Sequence, residues 1–207
     1  MSQKRQELVD TAIRLFACNG YHATGIDQIA KEAQVSKKTM YHHFRSTEEL
    51  ILAALRHHDG LFRNRFMKSV RALSDFPRAR PTGMFDVAGE WFADDAFYGC
   101  MFISAAGEYA VQDGAILEAC RAYKVQMLAF IRELVEDAGF AQTEQLTEML
   151  ALLLEGSIVT AQVTGDVSSA ETARRAASVL IEQAERSAWD HLGSRGDAGA
   201  LPAAVSS

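Results

Sequence analysis

The sequence predicts an all-α fold of about nine helices in two parts, an N-terminal three-helix bundle joined to a larger helical body. Three observations carry this. The 207 residues hold only three prolines, and no stretch sustains the period-two alternation of a half-buried strand. Segment after segment instead repeats apolar residues at spacings of three and four, the stripe of an amphipathic helix. Finally, Thr24 to Phe44 (TGIDQIAKEAQVSKKTMYHHF) reads as two short helices separated by a tight turn. At 48% apolar residues the chain can bury a real core, and its length allows two domains or one large one.

Taken in order, Met1 to Gln3 read as a mobile start. From Lys4, a stripe of Leu8, Val9, Ala12, Ile13, Leu15 and Phe16 forms a helix that stops at Asn19-Gly20. Thr24 with Asp27 has the capping-box pattern and opens a second helix whose Ile26, Ile29, Ala30 and Ala33 face inward. Gln34 and Val35 make the turn, and Ser36 caps the third helix, in which Met40 and Phe44 lie one turn apart and close a small core with Val35. Ser46 and Glu49 cap a long helix through Leu50, Ile51, Ala54, Leu55 and Leu61 to about Val70. Phe76 to Gly83 (FPRARPTG) holds two of the three prolines and breaks the chain. A helix containing Met84, Phe85, Val87, Ala88, Trp91 and Phe92 follows, then an irregular stretch from Ala93 to Tyr98, a short helix from about Cys100, and a long one from Ala115 to Asp137. Thr143 caps a helix to about Thr164, Ser168 with Glu171 caps the last, and Gly193 to Ser207, rich in Gly, Ala and Ser, reads as a disordered tail. The domains this implies are 1–48, 49–192 and the tail.

With Met40 and Phe44 inside, Lys37, Lys38, Tyr41 and His42 are left on the outer side of the third helix. Cations at a helix start with hydrogen-bonding rings one turn later suit the DNA major groove, where lysine reaches guanine acceptors and a tyrosine ring packs on thymine methyls. For Tyr41 and His43, packing against neighbouring helices remains the alternative.

From about Lys4 to Leu55 the chain resembles the DNA-binding domain of the TetR family of bacterial transcriptional repressors, part by part: LFA and NGY at the end of the first helix, then TGIDQIAKEA, VSKKTMYHHF, and STEEL opening a long helix. The resemblance implies a homodimer on a roughly palindromic double-stranded operator, with Lys37, Lys38, Tyr41 and His42 at base edges and Thr24, Gly25, Thr39, His43 and Thr47 at phosphates. Two departures stand out. Gln34 replaces the family's usual glycine, which forces a side chain into a conformation glycine adopts more readily, at about 1 kcal/mol. Lys38 stands where glycine, alanine or proline is frequent and Thr47 where lysine is frequent, so a cation is gained near the bases and one lost near the phosphates.

In the larger part, Trp91, Phe92, Phe97, Tyr98, Met101, Phe102, Tyr123, Met127 and Phe130 supply large, adaptable apolar walls. They fit an ordinary core or a cavity; the resemblance implies a cavity for a small-molecule inducer, with Glu90, Glu108 and Tyr109 as weaker polar partners. The last two helices have wide apolar faces, Leu150, Leu153, Leu154 and Ile158 on one and Ala173, Ala177, Leu180, Ile181 and Ala184 on the other. Small residues there permit a two-chain four-helix bundle, the arrangement the resemblance implies, or packing within one chain.

The formal net charge of −6 is unevenly spread: through Gly60 there are eight Lys/Arg against seven Asp/Glu, which leaves 13 against 20 for the rest. Such a head relies on a few well-placed cations rather than on bulk attraction to phosphates. Cys18, Cys100 and Cys120 form neither a disulfide framework nor a zinc pattern. Cys100 reads as a buried small residue or a redox sensor. His57, His58 and Asp59 invite a metal, but adjacent helical residues point about 100° apart; no metal and no cofactor is expected. No HExxH, GxSxG or phosphate loop supports an enzyme. With no leader pattern and no run of about 20 apolar residues, the expected place is the cytoplasm, away from membranes.

Overall fold

The computed structural model describes residues 2–109 and 114–196, and among them nine α-helices and one 3₁₀ turn are joined without a strand. The first is α1 (Gln3–Asn19), and the Ser2 hydroxyl caps it by accepting the Arg5 N–H at 3.3 Å. Gln3 is therefore already helical where a mobile start was expected; Met1 lies outside the described residues. Gly20 ends α1 at φ +85°, a value that favours glycine.

Two seven-residue helices follow, α2 (Ile26–Glu32) and α3 (Lys37–His43). The turn between them is a Schellman closure, in which the Val35 N–H donates to the Ala30 carbonyl and the Gln34 N–H to that of Lys31. Gln34 sits at its left-handed position with φ +53°, so the strain expected from a side chain there is present. The start of α2 differs from expectation: Gly25 is the cap residue and no side chain caps it. Thr24 is buried, and its hydroxyl donates at 2.7 Å to the Gly20 carbonyl, bracing the preceding turn instead.

α4 (Thr47–Ala72) begins as its capping pattern requires, with the Ser46 hydroxyl accepting the Glu49 N–H at 3.2 Å. The Glu49 carboxylate reaches one residue further back than the usual box, to the Arg45 N–H at 2.8 Å. Leu61, expected on the inner face, points to solvent. The proline break is shorter than expected because proline tolerates a helix start, where its missing N–H has no partner to lose. Pro77–Ala79 is the 3₁₀ turn, and Pro81 lies in the first turn of α5 (Arg80–Phe92).

Then come α6 (Met101–Glu108), α7 (Ala115–Asp137), α8 (Thr143–Thr164) and α9 (Ser169–Gly196). Thr143 is not the cap of α8: Gln142 takes that place at φ +57°, and the Thr143 hydroxyl turns back to donate to the Phe140 carbonyl at 3.3 Å. α9 runs through Gly196, past Gly193 where a tail was expected to begin; residues 197–207 lie outside the described residues.

α4 joins the two parts. Its Leu50, Ile51, Ala54 and Leu55 are sealed in the core that also holds Leu8, Ala12, Phe16, Ile29, Met40 and Phe44, while Phe66 and Val70 enter the body. Each of the Leu, Ile, Val, Met and Phe side chains among them contributes about 1.5–3 kcal/mol by leaving water. A domain boundary at residue 48 therefore falls where a helix starts and not where the packing ends. In the body α9 lies across α8 and α5, close enough that a Cβ built on Gly89 would meet the Ala170 methyl at 3.3 Å.

Candidate nucleic-acid interface and the body behind it

The outer face of α3 is set by what its inner face buries. Met40 and Phe44 are fully enclosed and Val35 nearly so, which leaves Lys37, Lys38, Tyr41 and His42 exposed on the opposite side, Tyr41 at 48%. The Ser36 hydroxyl accepts the Thr39 N–H at 3.1 Å and fixes the start of the helix. Lys37 is held by Asp27 of α2 at 2.8 Å, an exposed and readily exchanged pair, and the carboxylate raises the lysine pKa above its ordinary value. The His42 and His43 rings meet edge to face at 5.2 Å, with His43 half-buried.

Of the residues expected at phosphates, Gly25, Thr39, His43 and Thr47 are exposed or half-buried around this face. Thr24 is not available, since its side chain is buried and its hydroxyl spent on the main chain. Sequence reasoning passed over Arg45, an exposed cation between α3 and α4, although its position beside a helix start was legible. It also misplaced Glu108. The Glu108 carboxylate faces the head, not a cavity: it accepts the Tyr21 N–H at 2.8 Å and the His22 N–H at 2.6 Å, and lies 3.0 Å from the His22 ring nitrogen. The Tyr21 hydroxyl donates to the Met101 carbonyl at 3.0 Å, and the His22 ring packs on Tyr109. The two ends of α6 thus grip the turn between α1 and α2. Nothing in the sequence pairs residues so far apart.

The nine aromatic and methionine residues do not enclose one cavity. Large rings fill space by packing on each other: Trp91 lies 5.0 Å from Phe97 and 4.5 Å from Phe62, and Phe92 5.0 Å from Phe97. Phe130 packs edge-on to Phe66, Met101 is buried, and Tyr98 is exposed near Cys18. A hollow of 280 Å³ is lined by Glu90 and Trp91 and one of 470 Å³ by Phe92, Phe97 and Tyr98, and two others meet at Tyr123. One of 220 Å³ lies between α7 and α8 against Cys100, Met127, Ile131, Leu154 and Ile158. The other, of 380 Å³, lies between α4, α6 and α7 against Leu55, Asp59, Phe102 and Ala119. Burial pushes the Cys100 thiol above its ordinary pKa, which opposes formation of a reactive thiolate. His57, His58 and Asp59 go three ways: to Gln6 at 2.8 Å, between Phe62 and Phe102, and to Arg63 at 2.8 Å.

The model of bacterial regulatory proteins of the tetR family matches residues 8–54. YxaF, an HTH-type transcriptional regulator of Bacillus subtilis, is 30% identical over 159 residues, 75% of this chain and 83% of that protein. The chain belongs to the TetR family. It is a DNA-binding transcriptional regulator, as the relatives are. A TetR-family regulator from Streptomyces coelicolor shares the fold at a TM-score of 0.80 and 26% identity, over 87% of this chain and 95% of that one. FasR, an HTH-type transcriptional activator of Mycolicibacterium smegmatis, is 46% identical over 56 residues, 27% of this chain and 26% of that protein.

In this TetR-family chain the last two helices carry a second correction. Leu150, Leu154, Ile158, Ala173, Ala177, Ile181 and Ala184, expected at a partner, are buried inside their own chain where α8 and α9 pack on each other and on α5 and α7. Leu153 and Leu180 are half-buried against the same core. The uncovered apolar face is another one. Leu152 (72% exposed), Gly156, Val159 and Val163 (77%) recur along α8 at steps of four, three and four, with Val179 outward on α9. α8 is apolar on nearly every side, with a mean hydropathy of 1.4 over an 18-residue window, because one face serves the core and another is left over.

Proposed function

We propose that the chain is a homodimeric repressor, held on a palindromic DNA operator and released from it by a small, largely apolar or aromatic ligand. The observation that carries this reading is the outward set of Lys37, Lys38, Tyr41 and His42 on a helix whose other face is sealed. In this reading those four meet base edges in the major groove, while Gly25, Thr39, His43, Thr47 and Arg45 hold phosphates. Lys37 exchanges Asp27 for DNA on binding.

The second copy covers Leu152, Gly156, Val159, Val163 and Val179, a stripe of small and branched residues suited to close helix packing about a twofold axis. The ligand enters the hollows at Tyr123. Leu55 and Asp59 line one of these on α4, so a filled hollow pushes on the helix that enters the head core, and α6 transmits the same displacement through Glu108. Release requires that the ligand bind the displaced state better than the DNA-bound one, since equal affinity shifts nothing. Everything in the cycle takes place in the cytoplasm.

Selection of duplexes from a random pool by the full-length protein tests this. The expected outcome is a twofold-symmetric motif with half-sites about one helical turn or slightly more apart. An enriched motif without symmetry, or no enrichment, contradicts it. Activation is the second reading, favoured by the likeness of the head to the activator FasR. Reporter output from the selected site after deletion of the protein separates the two: output rises for a repressor and falls for an activator.

A further inference from the structure

The two hollows share one side chain, Tyr123, whose environment specifies a ligand more closely than their size does. Its ring lies flat on Phe102, centroids 3.8 Å apart and planes 4° from parallel, and the side chain lines both the α7–α8 and the α4–α7 hollow. The Tyr123 side chain is only 7% exposed, and among the described residues its hydroxyl makes no hydrogen bond, although it is not sealed from water as the Thr147 hydroxyl is. Burial drives its pKa far above the ordinary phenol value, so the group keeps its proton and acts as a donor. An acceptor on a ligand gives this hydroxyl a hydrogen bond that it lacks within the chain.

The charges around it set the remaining terms. Asp59 is occupied by Arg63 at 2.8 and 3.2 Å, and Lys124 by Glu155 at 2.6 Å on the rim of the α7–α8 hollow. Arg56 and Glu118, both exposed and of opposite sign, complete the charged lining of the α4–α7 hollow. The charged lining of the α7–α8 hollow is thus an ion pair, so a charged ligand there would lose its hydration without a free counter-ion. The α7–α8 hollow is apolar otherwise, with Met127, Leu128, Ile131, Leu154 and Ile158 around it, and its 220 Å³ exceeds the roughly 150 Å³ that admits a single benzene ring.

We propose that the regulator takes an uncharged, largely aromatic molecule of about two fused rings bearing one hydrogen-bond acceptor, its rings between α7 and α8 and its acceptor on the Tyr123 hydroxyl. This rests on the reading of the chain as a ligand-released regulator and names the class of that ligand. A carbonyl, lactone or quinone oxygen meets the requirement; a carboxylate or an ammonium does not.

Three probes of one shape test it by calorimetric titration of the full-length protein without DNA: 2-acetylnaphthalene, 2-ethylnaphthalene and 2-naphthoate. The ketone is expected to bind about five- to tenfold more tightly than the hydrocarbon, with the carboxylate weakest. Tyr123→Phe, which removes only the hydroxyl, equalises ketone and hydrocarbon and leaves the hydrocarbon unchanged. Ala151→Phe, which fills the α7–α8 hollow, removes both, and unchanged helix content shows that each variant is folded. No binding by any probe, a preference for the carboxylate, or a ketone preference that survives Tyr123→Phe overturns the proposal. Operator release is measured separately. Binding as described without release overturns the ligand-release reading and leaves the site assignment standing, whereas release by compounds indifferent to Tyr123→Phe does the reverse.

Discussion

In the head, two seven-residue helices rest on a core in which Leu8, Ala12, Ile29, Met40, Phe44 and Leu50 are all fully buried, whereas the body spreads its apolar residues over five longer packed helices. Hollows of 220 to 470 Å³ remain around those helices, among them the two at Tyr123. The head holds its shape by short-range devices: the Ser36 and Ser46 caps, the Schellman turn at Gln34 and the Thr24 brace. The body has such devices too, a Schellman turn at Gly139 and the bond from the Ser168 N–H to Asp166 among them, but its helices also meet through rings packed on one another, which can rearrange. A reading surface must present the same side chains each time, and a sensing body must have two arrangements of similar energy. On the proposed function the difference in packing follows that division of work, and α4 and Glu108 are where the two parts meet.

Experiments that sharpen the contrast run from large effects to small. Val159→Glu places a charge on the uncovered face of α8 and is expected to weaken dimerisation a hundredfold or more, about 3 kcal/mol, as read by sedimentation, with the monomer still helical. Leu154→Glu, on the buried face of the same helix, is expected to unfold the body instead.

α4 carries a largely buried histidine between the aromatic rings of the body. His58 sits between Phe62 and Phe102, and burial depresses its pKa from 6.5 to about 4. Over that range the unfolded chain binds a proton that the folded chain refuses. The stability contribution present above pH 6.5 is therefore lost as pH falls towards 4, by up to about 3 kcal/mol. Urea unfolding of His58→Phe against the wild type should show a shallower loss across this range; parallel curves would remove His58 from the account.

At the joint, Glu108→Ala leaves the Tyr21 and His22 N–H groups without their acceptor, at a cost of about 2 kcal/mol. Hydrogen exchange at those two amides should accelerate while α3 keeps its protection. In the head, Gln34→Gly relieves the left-handed strain at φ +53° and should raise stability by less than about 1 kcal/mol, a thermal shift of a few degrees. The smallest effect belongs to Asp27→Asn, which frees Lys37 and should tighten operator binding about two- to fivefold, with a steeper salt dependence.

The same contrast governs what could be read in the sequence. Caps and one-turn apolar spacings are local, so Ser36, Ser46, Met40 and Phe44 were legible from spacing alone, and the strained turn at Gln34 from the family resemblance. Where the local pattern was ambiguous, tertiary contacts decided: the Thr24 hydroxyl went inward to Gly20, and Pro81 joined a helix instead of ending one. In the body the helices were legible to within a few residues, as with α7 and α8, but their orientation was not. α8 is apolar nearly all round, so periodicity could not tell the face spent on its own chain, with Leu150 and Leu154, from the face left open, with Leu152 and Val163. Nor could it show that the aromatic residues would fill space with one another, or that Glu108 would reach Tyr21 and His22.

The reading role of α3 is tested most directly by fluorescence anisotropy of the selected duplex with wild type, Lys38→Ala and Tyr41→Ala at one salt concentration. Each side chain projects from the folded core, so each variant should keep its dimer and helix content and lose affinity about tenfold or more for the selected site, with little change on a scrambled duplex. Affinity for the selected site equal to wild type in both variants would contradict the assignment of this face to DNA.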